Sequence, residues 1–150
     1  MTKPLANKKP YLIIMMLAVI GLVDAAYLTY KHYSGSSLMC NISQGCEQVL
    51  TSQYAVVAGV PVALLGVLFY ATVLLTSVYF LTNKPGPKLM LLLGLAGFIP
   101  TLYLLYLQAF VIRAWCQYCL LSALTSTAIF VMALFLVSKK LKGQLDAEEA

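Results

Sequence analysis

Long apolar stretches alternate with short polar connections along this chain. Four of these stretches carry at most one charged residue each, and they cover residues 11–30, 61–81, 89–112 and 116–137. About 20 apolar residues in an α-helix are long enough to cross the hydrocarbon core of a bilayer. The pattern therefore predicts an all-α membrane protein, a bundle of four transmembrane helices that forms a single domain over residues 1–150.

The connection between the first two spans, residues 31–59, is the one long polar segment. It contains Cys40 and Cys46 after a flexible Ser-Gly-Ser-Ser lead at residues 34–37. Its second part, Glu47 to Tyr54, is predicted to form a short amphipathic helix that lies over the mouth of the bundle.

The other connections are short. Residues 82–88 form a basic turn, and residues 113–115 form the link at the opposite end of the bundle. Pro61 suits the first turn of the second span. Pro100 is expected to kink the third span, because it removes a backbone hydrogen bond.

Composition agrees with a membrane protein, since 61% of the 150 residues are hydrophobic and the mean hydropathy is +0.87. The net charge of +5 does not indicate nucleic-acid binding, because the basic residues flank the apolar spans. Eight of the ten Lys and Arg residues lie on the side of the two termini and the 82–88 turn. The positive-inside rule therefore predicts cytoplasmic termini, with all four cysteines at the opposite, oxidising face.

The first span leaves two alternatives open. Basic residues before it and small residues near 23–26 also fit a cleaved signal peptide, although the apolar run continues past that point. Asp24 is the only charge within the four spans and is costly in lipid, so we expect it to face the bundle interior. It acts there as a proton acceptor or as a helix-packing hydrogen-bond partner, and the lack of a second intramembrane charge favours packing.

Cys116 and Cys119 stand at the head of the fourth span, separated by two residues. A spacing of i, i+3 puts both thiols on one helical face, where a disulfide can form if the first turn is open at Cys116. Free N–H groups at a helix start favour a thiolate, so Cys116 is predicted to be the more reactive cysteine. A c-type haem motif is excluded, because Leu120 stands where that motif requires His.

Two cysteine pairs at one face suit a relay in which a thiolate attacks a disulfide and forms a mixed disulfide. Because nucleotide and haem motifs are absent from the sequence, the predicted electron acceptor is a lipid-soluble quinone. It would bind in a pocket between helices lined by Phe, Tyr, Leu and Met. The alternative is a zinc site formed by the four cysteines. A small transporter is disfavoured, because paired intramembrane charges and broken-helix repeats are missing.

Taken together, these elements resemble the vitamin K epoxide reductase family, and specifically its bacterial four-helix members. The resemblance covers residues 11–137 and rests on an ordered set of features. The set comprises Cys40, Cys46, Ser52, Gly59-Val60-Pro61, Gly66, Tyr70 and Cys116-Gln117-Tyr118-Cys119.

The resemblance implies a role for five residues. Cys116 and Cys119 would form the active-site disulfide beside the quinone, with Cys119 nearest the ring. Cys40 and Cys46 would be the shuttle pair, and Ser52 would lie near the quinone head group.

The implied function is that of a thiol:quinone oxidoreductase of the bacterial inner membrane. It would reoxidise a periplasmic thioredoxin-like protein of the DsbA type and pass the electrons to ubiquinone or menaquinone. Some relatives carry a thioredoxin-like domain after the last helix, whereas this chain ends at Ala150, so its partner is expected to act in trans. Vertebrate members have Thr-Thr-Tyr-Ala after the redox pair, where this chain has Ser-Ala-Leu-Thr at residues 122–125. Epoxide reduction and anticoagulant sensitivity are therefore not carried over.

Overall fold

The computed structural model describes residues 8–37, 40, 45–84 and 86–148, with the backbone alone at residue 147. The described elements are, in chain order, helix α1 (Lys9–Ser34), helix α2 (Cys46–Leu50), a 3-10 turn (Gln53–Ala55), strands β1 (Val56–Val57) and β2 (Val60–Pro61), helix α3 (Val62–Thr82), helix α4 (Pro87–Tyr106), a π-helical segment (Leu107–Ile112) and helix α5 (Gln117–Glu148).

Four of these helical segments are long and apolar enough to cross a membrane, which confirms the predicted all-α membrane bundle. They are Lys9–Ser34, Val62–Thr82, Pro87–Ile112 and Gln117–Asp146. Helix α5 continues well past the predicted end of the span at residue 137, because the tail is rich in residues with high helix propensity.

The four long helices pack around an apolar core at the end of the bundle where α1 begins, which we call the inner end. Helix α1 packs mainly on α3 and α5, and α4 packs on α5. The fully or almost fully buried side chains of this core include Tyr11, Ile14, Ala18, Val73, Phe80, Met90, Ile129, Ala133 and Leu136. Small residues permit close contact, as at Gly94, where the backbone of α4 lies against Phe130 of α5.

The third span remains α-helical through Pro100 and changes to π-helical geometry only at Leu107–Ile112. The predicted kink at Pro100 is therefore not the main irregularity of this helix. After the π-helical segment, Arg113 adopts a left-handed conformation with φ 55°, and the chain turns directly toward α5.

The predicted helix over Glu47–Tyr54 is wrong in its extent. Helix α2 ends at Leu50, and two hydroxyl groups donate to carbonyls of its last turn: Thr51 Oγ1 donates to Glu47 O at 2.7 Å and Ser52 Oγ donates to Val49 O at 2.7 Å. Ser52 itself has an extended backbone, so the helical ladder cannot continue through it.

A two-stranded hairpin, missed by the sequence pattern, follows the 3-10 turn. Strand β1 pairs antiparallel with β2, and the turn between them places Ala58 at φ 52° and Gly59 at φ 81°. Two consecutive positive φ angles are typical of the tightest hairpin turns. Because Pro61 belongs to β2 and caps the next helix, the second span begins at Val62, one residue later than predicted.

Candidate functional site

All four cysteines lie together at the outer end of the bundle, opposite the inner end. Cys40 and Cys46 form a disulfide with a Cα–Cα distance of 6.1 Å, whereas Cys116 and Cys119 are free thiols. Fully buried Cys46 and Cys116 share one apolar cluster with Leu28 of α1, and Cys40 and Cys119 pack against that cluster. The structure therefore brings the loop pair and the helix pair into one cluster.

Cys116 lies at the N-cap position of α5, since its carbonyl accepts the Leu120 N–H at 3.0 Å. Its sulfur accepts a hydrogen bond from the Cys119 thiol, which is the main reason why the pKa of Cys116 is lowered to about 7. Backbone N–H groups of Cys119 and Tyr118 also donate to this sulfur and lower the pKa, whereas burial raises it. This arrangement favours a thiolate on Cys116 and a thiol on Cys119.

Gln108 fixes the backbone just before the reactive cysteine. Its side-chain oxygen accepts the Cys116 N–H at 3.0 Å, and its own carbonyl accepts the Ala114 N–H at 3.2 Å. Gln108 is buried within the π-helical segment, whose wider turn carries this residue toward the start of α5. Sequence reasoning missed Gln108, although a glutamine inside an otherwise apolar span is a usable signal for a buried polar site.

Beside the cysteines, an apolar cavity of about 300 Å³ lies between the long helices. This volume is at the lower end of the range for small-molecule sites. Its polar lining side chains include Cys119, Ser52, Gln108, Ser126 and Tyr70, and its apolar ones include Phe69, Leu28, Leu104 and Leu105. The expected Phe, Tyr and Leu lining is present, but methionine is missing from the described lining residues.

Ser52 lines this cavity as part of the segment between α2 and the hairpin. Its hydroxyl hydrogen is donated to Val49 O at 2.7 Å, and the oxygen lone pairs remain available. The hydroxyl would have to rotate away from Val49 in order to donate to a molecule in the cavity.

Tyr70 joins α3 to α5 at the wall of the cavity. Its hydroxyl lies 2.8 Å from Ser122 O, 3.1 Å from Ser122 Oγ and 2.8 Å from Thr125 Oγ1. The ring packs against Gly21 of α1, where even a single methyl group would collide with it. Tyr70 therefore holds three helices at a fixed spacing around the site.

Sequence comparison places the chain among known proteins. The sequence profile of the vitamin K epoxide reductase family matches residues 12–134 of this chain. The chain belongs to that family. It is also 32% identical over 122 residues to the thiol-disulfide oxidoreductase LTO1 of Arabidopsis thaliana, a match that covers 75% of this chain and 32% of the plant protein.

Membership of this family and the similarity to a thiol-disulfide oxidoreductase support an oxidoreductase. The chain spans about a third of the length of the plant relative, so what that whole protein does is not transferred directly. The matched range, residues 12–134, contains all four cysteines, Ser52, Gln108 and Tyr70.

A metal centre is not supported by the arrangement of side chains. In residues 8–37, 40, 45–84 and 86–148, no cluster of three or more His, Cys, Asp or Glu residues is placed to hold a metal ion. With Cys40 bonded to Cys46, only the sulfurs of Cys116 and Cys119 remain as thiol ligands. A four-thiolate zinc site would require both loop sulfurs to be free.

Proposed function

We propose that this protein is a membrane thiol:quinone oxidoreductase that reoxidises a thioredoxin-like, DsbA-type disulfide-forming protein. The observation that carries the proposal is the position of the thiol pair Cys116 and Cys119. Cys116 packs in one cluster with the loop disulfide, while Cys119 lines an apolar cavity between membrane-spanning helices. One pair therefore has a disulfide on one side and a binding site for an apolar molecule on the other.

Burial of the loop cysteines supports an order for the relay. Cys46 is fully buried beside Cys116, whereas Cys40 is only half-buried. A thiolate of the reduced partner protein attacks Cys40, and the partner leaves as a disulfide when its second thiolate attacks the mixed bond. The reduced Cys46 then attacks Cys116 of an oxidised Cys116–Cys119 pair, and Cys40 closes the loop disulfide again. Two electrons have then moved from the partner to Cys116 and Cys119.

The described state fits the stage after this internal transfer, because the loop pair is oxidised and the helix pair is reduced. The next step needs an acceptor of two electrons within reach of Cys119. A quinone is a diffusible second substrate that supplies this chemistry by taking up two electrons and two protons.

The residues around the cavity fit a quinone head group. Phe69 and several leucines supply apolar walls, and Ser126 Oγ is a buried hydroxyl oxygen with no hydrogen-bond partner among the described residues. Ser52 and Gln108 add polar groups at the end of the cavity near the cysteines. We assign these side chains to holding the quinone oxygens, whether the quinone is ubiquinone or menaquinone.

The distribution of basic residues supports an orientation with the cysteines outside a bacterial inner membrane. Lys31 and Arg113 are the two basic residues at the outer end, and the other eight belong to the opposite side. After reduction, a membrane-impermeant thiol reagent should label Cys40 or Cys46 in intact spheroplasts. Labelling only after membrane disruption would place them in the cytoplasm instead.

The activity is tested with purified protein, a reduced DsbA-type protein and decylubiquinone or a short-chain menaquinone. We expect one quinol for each partner disulfide formed, and no quinol without the partner. Partner oxidation without quinol would exclude the quinone as acceptor, and bound zinc in protein purified without reductant would favour the metal alternative.

A further inference from the structure

Asp24 is a buried acid that takes no part in the proposed exchange between the four cysteines, the partner protein and the quinone. The residue is 5% exposed in the middle of α1, and its Oδ2 atom has no hydrogen-bond partner among the described residues. The predicted helix-packing hydrogen bond is therefore not made by this oxygen. An unpaired carboxylate within a membrane protein is costly, and acids retained at such positions commonly handle protons.

The neighbours of Asp24 along α1 place it between Tyr70 and the cysteines. Gly21, one turn before it, packs against the Tyr70 ring, and Leu28, one turn after it, packs in the cluster of Cys46 and Cys116. Ala25, the next residue, lines the cavity. Asp24 thus lies in the layer of the bundle that contains both the thiols and the candidate quinone site.

Three titratable groups on the packed elements face Asp24, and its charge acts on each of them. They are Tyr70 of α3, Cys119 of α5 and Cys116 just before α5. The pKa of Cys116 is lowered mainly by the hydrogen bond from the Cys119 thiol, and the Asp24 carboxylate opposes this, because two negative charges repel where water is excluded. A negative charge on Cys116 therefore favours the neutral form of Asp24.

When Cys116 is a thiolate, the cysteine pair lacks one of the protons that the proposed reaction needs. The pair then holds two transferable electrons but only one proton, that of the Cys119 thiol. A quinone that accepts two electrons also needs two protons to become a neutral quinol. The second proton must come from another group in the same buried layer.

We propose that Asp24 supplies this second proton and carries the negative charge of the site once the cysteines are oxidised. The inference rests on the proposed function. In the balanced step, the Cys116 thiolate, the Cys119 thiol, the Asp24 carboxylic acid and a quinone give the Cys116–Cys119 disulfide, the Asp24 carboxylate and a quinol. Two sulfurs lose two electrons, the acceptor gains two electrons and two protons, and the net charge of the site remains −1. Asp24 takes up a proton again when the loop pair next delivers electrons and protons.

The decisive measurement is the pH dependence of the reduction potential of the Cys116–Cys119 pair, which needs no quinone. Redox buffers of dithiothreitol are used above neutral pH, and the disulfide fraction is read by alkylation and peptide mass. In the parent protein, reduction should take up two protons for two electrons, one on Cys119 and one on Asp24. In Asp24→Asn it should take up one proton, which halves the slope of potential against pH. Equal slopes in the two proteins would overturn the proposal.

Single-turnover kinetics with decylubiquinone give the second readout. Prereduced Asp24→Asn should form quinol at least about tenfold more slowly than the parent, within the range typical of lost acid–base groups. Asp24→Glu should recover much of the rate, because it restores a carboxylic acid. Tyr11→Phe is a matched control, since it removes another buried, unpartnered polar atom of α1, but at the inner end.

The experiments distinguish a failure of the proposed function from a failure of the role of Asp24. Absence of quinol formation by the parent protein would overturn the proposed function. If the parent forms quinol and Asp24→Asn equals it in both rate and potential slope, only the role of Asp24 is wrong. Thermal unfolding of each reduced variant is measured in parallel, and the asparagine should leave the midpoint unchanged, because it matches the uncharged carboxylic acid in size.

Discussion

The two ends of the helix bundle differ in how regular they are. At the inner end, large apolar side chains fill the core. Two hydrogen bonds cap the end of α3: Lys8 Nζ donates to Leu81 O at 2.6 Å, and the Asn83 side chain donates to Tyr79 O. At the outer end, a π-helical segment, a left-handed Arg113 and a two-residue hairpin replace continuous helix. The outer end also contains the cavity, the disulfide and the free thiols.

This difference indicates that the inner end mainly stabilises the bundle and that the outer end forms the candidate site. Regular helices with buried apolar faces hold the inner end together by packing, which is the main source of helix association in lipid. At the outer end, the π-helical segment instead carries Gln108, whose side chain accepts the Cys116 N–H, and the first N–H groups of α5 donate to the Cys116 sulfur. Substitutions at the inner end should therefore change stability, and substitutions at the outer end should change rates.

The largest effect is expected from Cys119→Ala, which removes the sulfur that lines the cavity. Quinol formation should fall to background, because the Cys116–Cys119 disulfide can no longer form. The remaining sulfur of Cys116 should accumulate in a mixed disulfide with Cys46, its neighbour in the buried cluster. Peptide mapping identifies the bond, and a Cys116 bonded only to Cys40 would reverse the proposed order of the loop cysteines.

A smaller loss, on the order of 10²-fold in the rate of quinone reduction, is expected for Ser52→Ala, the usual cost of losing one donor to a developing oxyanion. Thiol exchange at the loop pair should be unaffected. Rapid mixing of prereduced protein with decylubiquinone measures the rate.

Thr51→Ala is the matched control for Ser52→Ala. Both hydroxyls donate to a carbonyl of α2 at 2.7 Å, but Thr51 is exposed while Ser52 lines the cavity. If the two variants slow quinone reduction equally, the effect belongs to the end of α2 and Ser52 has no contact with the quinone.

At the inner end, Ile129→Ala should lower the free energy of unfolding by about 1–3 kcal/mol. This loss of unfolding free energy is smaller than the largest losses seen for the same substitution in water-soluble proteins. The reason is that the unfolded state remains in lipid and does not expose this side chain to water. Ile129 is fully buried, whereas Leu134 of the same helix is 41% exposed, so Leu134→Ala is the control. Denaturation in mixed micelles measures stability, and a lowered turnover number of the folded Ile129→Ala protein would contradict the division between the two ends.

The smallest expected effect is a shift in the alkylation profile of Cys116. In the reduced parent protein, the alkylation rate should rise with a midpoint near pH 7, because the thiolate forms as pH passes the pKa of about 7. In reduced Cys119→Ala, the main hydrogen bond to the sulfur is lost, so the midpoint should move to higher pH. Iodoacetamide labelling followed by mass spectrometry measures both profiles, and coincident midpoints would show that the Cys119 thiol does not stabilise the thiolate.

The helices and the positions of the cysteines could be predicted from the sequence because both follow from local patterns. Runs of apolar residues specify membrane helices whatever their neighbours are, and the i, i+3 spacing of Cys116 and Cys119 fixes their common face. The position of Cys116 at the start of α5 also follows locally, since the charge of Arg113 interrupts the apolar run.

Features that depend on contacts between distant segments could not be predicted in this way. The bond from Gln108 to the Cys116 N–H requires the π-helical geometry, and apolar periodicity carries no sign of an extra residue in a turn. The end of α2 likewise follows from the extended backbone of Ser52, which apolar periodicity does not indicate. For Asp24, the sequence showed the cost of the charge, but only the packing of Gly21 and Leu28 located it beside the redox centre.

The geometry around Cys116 also depends on the number of residues in the π-helical segment. Each residue of an α-helix turns the chain by about 100° and advances it by 1.5 Å, so one deletion within Leu107–Ile112 would let the hydrogen-bond ladder close as ordinary α-helix. Every residue of the segment before the deletion would then rotate relative to the link that leads to Cys116, and the Gln108 amide would no longer face the Cys116 N–H. A chain with every functional side chain intact would lose its reactive geometry through a change of length alone.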